Sequence, residues 1–290
     1  MKIECIDKKS KYFPDKLKQL EKCPEQIYVQ GNRKILSEFS LAVIGSRNSS
    51  ILGKIVAQDI SEELARNNII ITSGLARGID TIAHMACVKN DAKTIAVLGG
   101  GHNKIYPSEN KNLIKDIIEK DGVIVSEYPP EYPSLRNNFR ERNRIIAALS
   151  DGIVLIEAKK NSGSLITVNN AIKLNKKIFV VPGRVNDEEY EGSNFVLKSG
   201  AFCISNAKDI LEKYENIKLN LFSENIKKID VPEELKELYE IISFVPQTLD
   251  EISIKMNESI NQILSKLVLL EVYNLIKRVN GNLFVKIKNV

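Results

Sequence analysis

The densest set of chemically capable side chains is Arg136-Asn137-Asn138-Phe139-Arg140-Glu141-Arg142-Asn143-Arg144, which holds four arginines, one acid and one aromatic ring. Guanidinium forks match phosphate geometry, and a flat ring stacks on a base. A charge run is usually a solvated face. This one is arginine-only on its positive side and carries Phe139, which is the chemistry of single-stranded nucleic-acid binding. A second group of residues is glycine with serine. Gly45-Ser46-Arg47-Asn48-Ser49-Ser50, Ser73-Gly74-Leu75-Ala76-Arg77-Gly78, Gly99-Gly100-Gly101 and Asn161-Ser162-Gly163-Ser164 each follow an apolar run. Such loops turn backbone N–H groups toward anionic oxygens at helix starts. One of them alone is most simply a tight turn or a helix cap; several on one edge are harder to dismiss.

Other chemistries fit less well. Asp80, Glu127 and Glu157 follow apolar runs and could hold Mg²⁺ as in a nuclease, but each has arginines near it that it could simply orient. A dinucleotide site needs G-x-G-x-x-G after the first strand, and here Gly45 is followed by Arg47, with the next glycine at Gly53. A serine hydrolase needs the G-x-S-x-G elbow, which the chain lacks. His84 and His102 are the two histidines. His84 sits on an apolar helical stretch and reads as a packed, hydrogen-bonded ring. No cofactor or metal is expected.

The elements that must position these residues follow from the hydropathy pattern. Leu41–Ile44, Ile69–Thr72, Thr94–Leu98, Val123–Val125, Ile153–Ile156 and Ile178–Val181 are short apolar runs, separated by helical stretches such as Gly53–Arg66 and Ser108–Lys120. Buried parallel strands alternating with helices make a doubly wound α/β domain, here over 41–213. Its ligands belong at the carboxyl ends of the strands, where the Gly/Ser loops lie. The arginine cluster enters a helix at Ile145–Leu149. Residues 1–40 read as a short N-terminal cap, and 214–231 as a linker. Over 232–290, apolar stripes at Leu235–Ile242, a helix from Leu249, a helix over Ser259–Leu270 and a hairpin turning at Asn280-Gly281 predict a winged helix.

Composition sets the outer limits. The chain has 290 residues, 43% hydrophobic and 27% charged, which fits a folded protein of about two domains. No apolar run is long enough to span a membrane, and Met1–Asp7 has no signal-peptide core, so the expectation is cytoplasmic. Cys5, Cys23, Cys87 and Cys203 are scattered, which excludes a zinc-knuckle spacing and makes a disulfide framework unexpected. The net charge of +5 is too mild to imply nucleic acid by itself. From Pro232 to the end, eight acids face seven bases, a poor footprint for a duplex reader.

Gly45-Ser46-Arg47, the run from Ser73 to His84, Tyr106-Pro107, Ser126-Glu127, Phe139–Ile146, Glu157-Ala158, Ser162–Thr167, Pro182-Gly183, Gly192-Ser193-Asn194 and Gly200-Ala201 together resemble the DNA-processing protein A (DprA/Smf) family. The similarity runs in order across 41–213, and Tyr12-Phe13-Pro14 to Pro24 is similar to the segment that precedes that domain. The resemblance implies an extended Rossmann domain that binds single-stranded DNA without sequence preference and pairs as a homodimer through that domain. It also implies a non-enzymatic recombination mediator that protects incoming strands and assists RecA loading in natural transformation. The family's DNA-facing positions fall on Arg47, Arg136, Phe139, Arg142 and Ser162-Gly163-Ser164. Gly45, Ser46, Ser73, Gly74, Arg140 and Asn143, beside them, complete the expected interface. The residues before the sheet leave no room for the helical SAM-type domain of many members, and Lys176 stands where an arginine is usual. The competing enzyme is a LOG-type phosphoribohydrolase, whose Pro-Gly-Gly-x-Gly-Thr is replaced here by Asn161-Ser162-Gly163-Ser164-Leu165.

Overall fold

The apolar runs of residues 41–181 form the middle of a nine-stranded sheet in a computed structural model that describes residues 2–214, 231–273, 275–279 and 282–287. The described residues fall into two units, one up to Tyr214 and one from Val231. In the first, β1 (Glu4–Asp7), α1 (Asp15–Lys18) and β2 (Gln26–Gly31) precede an alternating series. That series is β3 (Ser40–Ile44), α2 (Ile51–Arg66), β4 (Ile70–Ser73), α3 (Ile79–Lys89), β5 (Thr94–Leu98), α4 (Lys111–Glu119) and β6 (Val123–Ser126). It continues with α5 (Arg136–Leu149), β7 (Gly152–Leu155), α6 (Ser164–Lys173), β8 (Lys177–Val180), α7 (Glu191–Lys198), β9 (Phe202–Cys203) and α8 (Ala207–Leu211).

The sheet order is β1-β2-β6-β5-β4-β3-β7-β8-β9. From β6 to β9 every pairing is parallel; β1–β2 and β2–β6 are antiparallel. Right-handed crossovers place α2, α3 and α4 on one face and α5 and α6 on the other. With both faces covered, β3 and β5 are buried along their whole length. Their apolar runs, Leu41–Ile44 and Ile95–Leu98, dictate this. The chain moves outward from β3 to β6, then returns to β7 on the other side of β3. This switch point opens a crevice at the carboxyl ends of β3 and β7.

Residues 1–40 do not form a separate cap. β1 and β2 widen the sheet beyond β6, and Leu17, Ile27 and Ile35 are fully buried against it. The alternation of Ile27 and Val29 inward with Gln26 and Tyr28 outward is that of a half-buried antiparallel strand.

The second unit contains α9 (Glu233–Ile241), β10 (Gln247–Thr248), α10 (Leu249–Met256), α11 (Ile260–Val272), β11 (Ile276–Val279) and β12 (Leu283–Lys286). Its described strands pair antiparallel in the order β10-β12-β11, so β10 adds a strand to the expected hairpin. Thr248 opens α10 with a capping box to Glu251. Leu235, Leu238, Ile252, Ile263, Leu267 and Phe284 are among its core residues. The expected Asn280-Gly281 turn, and the expected linker apart from Tyr214 and Val231, lie outside the described residues. Tyr214 closes the first unit, its hydroxyl donating to the Asp151 carbonyl at 3.1 Å.

Candidate nucleic-acid interface

The arginine cluster is the start of a helix rather than a loop in front of one, since α5 begins at Arg136. Helical period then sorts the side chains. Asn138, Arg142, Ile145 and Ile146 turn inward and are buried; Arg136 and Arg140 turn outward and are exposed. Arg144 lies between these groups and grips Glu127 with one nitrogen, at 2.5 and 2.7 Å to the two carboxylate oxygens.

Arg142 is therefore not a surface contact. Its side chain is 2% exposed and donates to the carbonyls of Gly74 and Val97, at the ends of β4 and β5. A Cβ at Gly74 would press on the Arg142 guanidinium, so the glycine leaves it room. Asp80 completes the arrangement, its carboxylate accepting from the Gly74 N–H at 3.1 Å. Burial pushes the Asp80 carboxyl up and the Arg142 guanidinium down to about 10, and each charge partly offsets the burial of the other. Ser73 and Gly74, also expected to face DNA, are buried too; Ser73 Oγ donates to the Val43 carbonyl at 2.7 Å. Asn143 is partly exposed and donates to the Gly163 carbonyl at 3.0 Å, so it holds the Ser162–Ser164 loop.

What faces solvent at this edge is a smaller set. Phe139 is half-buried, its ring seated on Gly99 at the end of β5, where a Cβ would lie 2.6 Å from the ring. Arg47, from the loop after β3, is exposed, lies 5.4 Å from the centre of that ring and makes no ion pair among the described residues. Gly45 and Ser46 are partly exposed beside it, and the Ser46 carbonyl accepts from Ile79 N at the start of α3. Across the crevice, Ser162, Gly163 and Ser164 begin α6, with the two hydroxyls 2.7 Å apart and open space over Gly163. Arg140 joins this loop in lining an open groove of about 1170 Å³, together with Lys160, Val185 and Phe195.

The candidate acids are separated and individually engaged. Glu157 accepts from the amide and hydroxyl of Ser50, the N-cap of α2, and burial raises its carboxyl. Glu127 holds Arg144, and Asp80 holds Gly74. Among the described residues no three His, Cys, Asp or Glu side chains come together. His84 is fully buried with Nδ1 at 2.7 Å from Thr94 Oγ1, the packed ring expected. The Thr94 hydroxyl donates to the Ile71 carbonyl, so His84 Nδ1 is the donor in that contact.

Residues 4–215 match the family described as DNA recombination-mediator protein A. The chain belongs to that family. It is 38% identical over 206 residues to protein Smf of Escherichia coli, a match spanning 71% of this chain and 55% of that protein. With the DNA processing protein DprA of Streptococcus pneumoniae, identity is 38% over 203 residues, 70% of this chain and 71% of that one. The crystal structure of the pneumococcal protein superposes with a TM-score of 0.69 at 36% identity, covering 74% of this chain and 75% of that one. A structure of DNA processing protein A from Helicobacter pylori, described for its single-stranded DNA binding mode, gives a TM-score of 0.66 at 30% identity and covers 73% of this chain and 95% of that one. The expected doubly wound, Rossmann-like α/β fold is thus shown, with β1 and β2 part of the same sheet. Among the described residues no helix is long and apolar enough to cross a membrane.

Proposed function

We propose that the carboxyl edge of the first unit binds single-stranded DNA and that the protein acts, without catalysing a reaction, as a recombination mediator that protects incoming strands and assists RecA loading. The observation that carries this reading is Arg47, from the loop after β3, set over the half-buried Phe139 ring at the carboxyl end of β5. Phe139 offers a base a flat apolar face. Arg47, Arg136 and Arg140 offer exposed charge to the backbone around it. Family membership and the Helicobacter relative support the choice of single strands. The second unit has the element order of a winged helix, and we read it as an accessory module.

Binding of fluorescent oligonucleotides tests the reading. Single strands are expected to bind more tightly than duplex, with log K falling against log[salt] at a slope of about −2 to −3, for three or four phosphates. Phe139→Ala weakens binding about tenfold with the slope unchanged, whereas Arg136→Ala flattens the slope by about 0.7. A duplex preference or a flat salt response overturns the reading. RecA filament assembly on a single strand is expected to accelerate when the protein is added; no acceleration removes the mediator role.

The pairing of two copies through the first unit belongs to the same proposal. Val185 and Phe195, 91% and 68% exposed, supply an apolar surface for it. Sedimentation should show a dimer that Phe195→Glu converts to monomer. A Phe195→Glu variant that still sediments as a dimer moves the interface elsewhere.

A further inference from the structure

Next to the Arg47–Phe139 pair stand a second ring and a second guanidinium outside the expected interface. Tyr106, from the loop between β5 and α4, lies 5.6 Å from the Phe139 ring, centre to centre, with the planes at 57°. It is 49% exposed, so one side of the ring is open to solvent. Arg77, from the loop between β4 and α3, lies 5.9 Å from the centre of the Tyr106 ring. Four side chains from four separate segments are thus linked in succession: Arg47, Phe139, Tyr106, Arg77.

The segments that carry them are tied together. Asn110, just before α4, donates to the Leu75 carbonyl at 2.9 Å and to Thr81 Oγ1 at 2.8 Å, which ties the Tyr106 loop to the Arg77 loop. Ser134 Oγ donates to the Lys104 carbonyl at 2.7 Å, tying the same loop to the entry of α5. Arg77 pairs with Glu109, and both members of that ion pair are about half exposed. An exposed pair contributes little stability and exchanges readily for another anion.

We propose that Tyr106 and Arg77 form a second step of the strand path, a base stacking on Tyr106 while its phosphate displaces Glu109 from Arg77. The proposal rests on the reading that this edge binds single strands. It extends the path beyond Phe139 through the loops that follow β4 and β5, and it gives Glu109 the role of a resident counter-charge. Alternating rings and guanidinium groups suit a single strand, because every base has a face to stack and every linkage a charge.

The test uses the full chain and oligothymidylates of increasing length. Tyr106→Ala should weaken binding to long oligonucleotides about tenfold, the low end for losing one stacked base, and change binding to the shortest ones least. Tyr106→Phe should bind as the wild type. Glu109→Gln should tighten binding and steepen the salt slope by up to about 0.7, and adding Arg77→Ala should abolish that gain. Glu119→Gln, at the far end of α4, controls for net charge. Wild-type binding to Tyr106→Ala, or equal gains from Glu109→Gln and Glu119→Gln, overturns the proposal while leaving the edge a binding site. Failure of the wild type to bind single strands overturns the reading and the proposal together. Should Tyr106→Ala not fold, the Glu109→Gln and Arg77→Ala pair decides alone.

Discussion

The outer side of α5 in the first unit and the outer side of α11 in the second make an instructive pair. Both are helices packed by one flank on their own unit's core, with Ile145, Ile146 and Leu149 inward on α5 and Ile263, Leu267 and Leu270 inward on α11. Outward, α5 shows Arg136 and Arg140 beside the Phe139 ring. Outward, α11 shows Ile260, Leu264, Val268 and Val272, an uninterrupted ridge at i, i+4 spacing. The charged residues on the flanks of α11 are engaged within the unit: Lys266 with Glu258, and Glu271 with the Arg278 amide. The lesson is that where charge sits matters more than how much there is. A chain of net charge +5 concentrates free guanidinium groups at one sheet edge. The last helix of the second unit offers no free cation to a phosphate among its described side chains.

The largest expected effect breaks the support under the α5 surface. Arg142→Met leaves the Gly74 and Val97 carbonyls without their donor and Asp80 without its nearby positive charge. Removing one member of such a buried charged set costs about 3–5 kcal/mol. Hydrogen exchange read by mass spectrometry should show protection lost across β4 and β5 and kept in α11. Equal loss in both units would show that they unfold together, and unchanged protection would mean that Arg142 supports nothing.

Acid should separate the two units as well, since both histidines, His84 and His102, lie in the first. Burial pushes the His84 imidazole from its ordinary 6.5 down to about 3, so the folded protein keeps it neutral. The stability that the neutral ring contributes is complete above pH 6.5 and is lost as pH falls toward 3, because the unfolded chain takes up a proton that the folded one refuses. The loss is about 1.4 kcal/mol per pH unit. Urea unfolding of wild type and His84→Gln, followed by circular dichroism, should show their stability difference changing by that amount per unit below pH 6.5. A constant difference would mean that the ring is protonated in the folded state.

The six strands β3 to β8 were legible because each is a short apolar run, four of them closed by Gly or Ser, and the structure moves their ends by about a residue, as when Ser73 joins β4. β1 and β2 were not, since Glu4–Asp7 and Gln26–Gly31 are half-polar strands at the antiparallel end of the sheet, with only short alternation. Of the expected interface residues, the structure leaves Arg47, Arg136 and Arg140 exposed and Phe139 half-buried at the carboxyl edge; the cluster's composition pointed to the last three and the family resemblance to Arg47. Composition failed on Arg142, because reading the cluster as a loop removed the helical period that would have grouped Arg142 with Asn138, Ile145 and Ile146 on the inner face. A helix drawn from Arg136 would have shown this. Tyr106 and Arg77 were missed for a different reason. They lie 33 and 62 residues from Phe139 in the sequence, and only the sheet order brings their loops together.

The smallest expected effect concerns α11 and sharpens the comparison from its other side. Leu264 and Val268 are 37% and 51% exposed. A substitution at an exposed position with no special contact changes stability by about 0.5 kcal/mol or less. Val268→Lys, measured by urea unfolding, should stay within that range, and Leu264→Lys should lie at its upper end because more of that side chain is covered. Single-strand affinity should change less than twofold in both, because the added charges are not on the proposed strand path. The two readouts respond to different faults in the comparison. A stability loss of about 2 kcal/mol or more at Val268 would be the signature of an apolar side chain taken out of a covered surface, so that the ridge is not free in solution. Tighter single-strand binding with a steeper salt slope would instead bring α11 close to the DNA. The division of labour between the α5 edge and the second unit would then have to be redrawn.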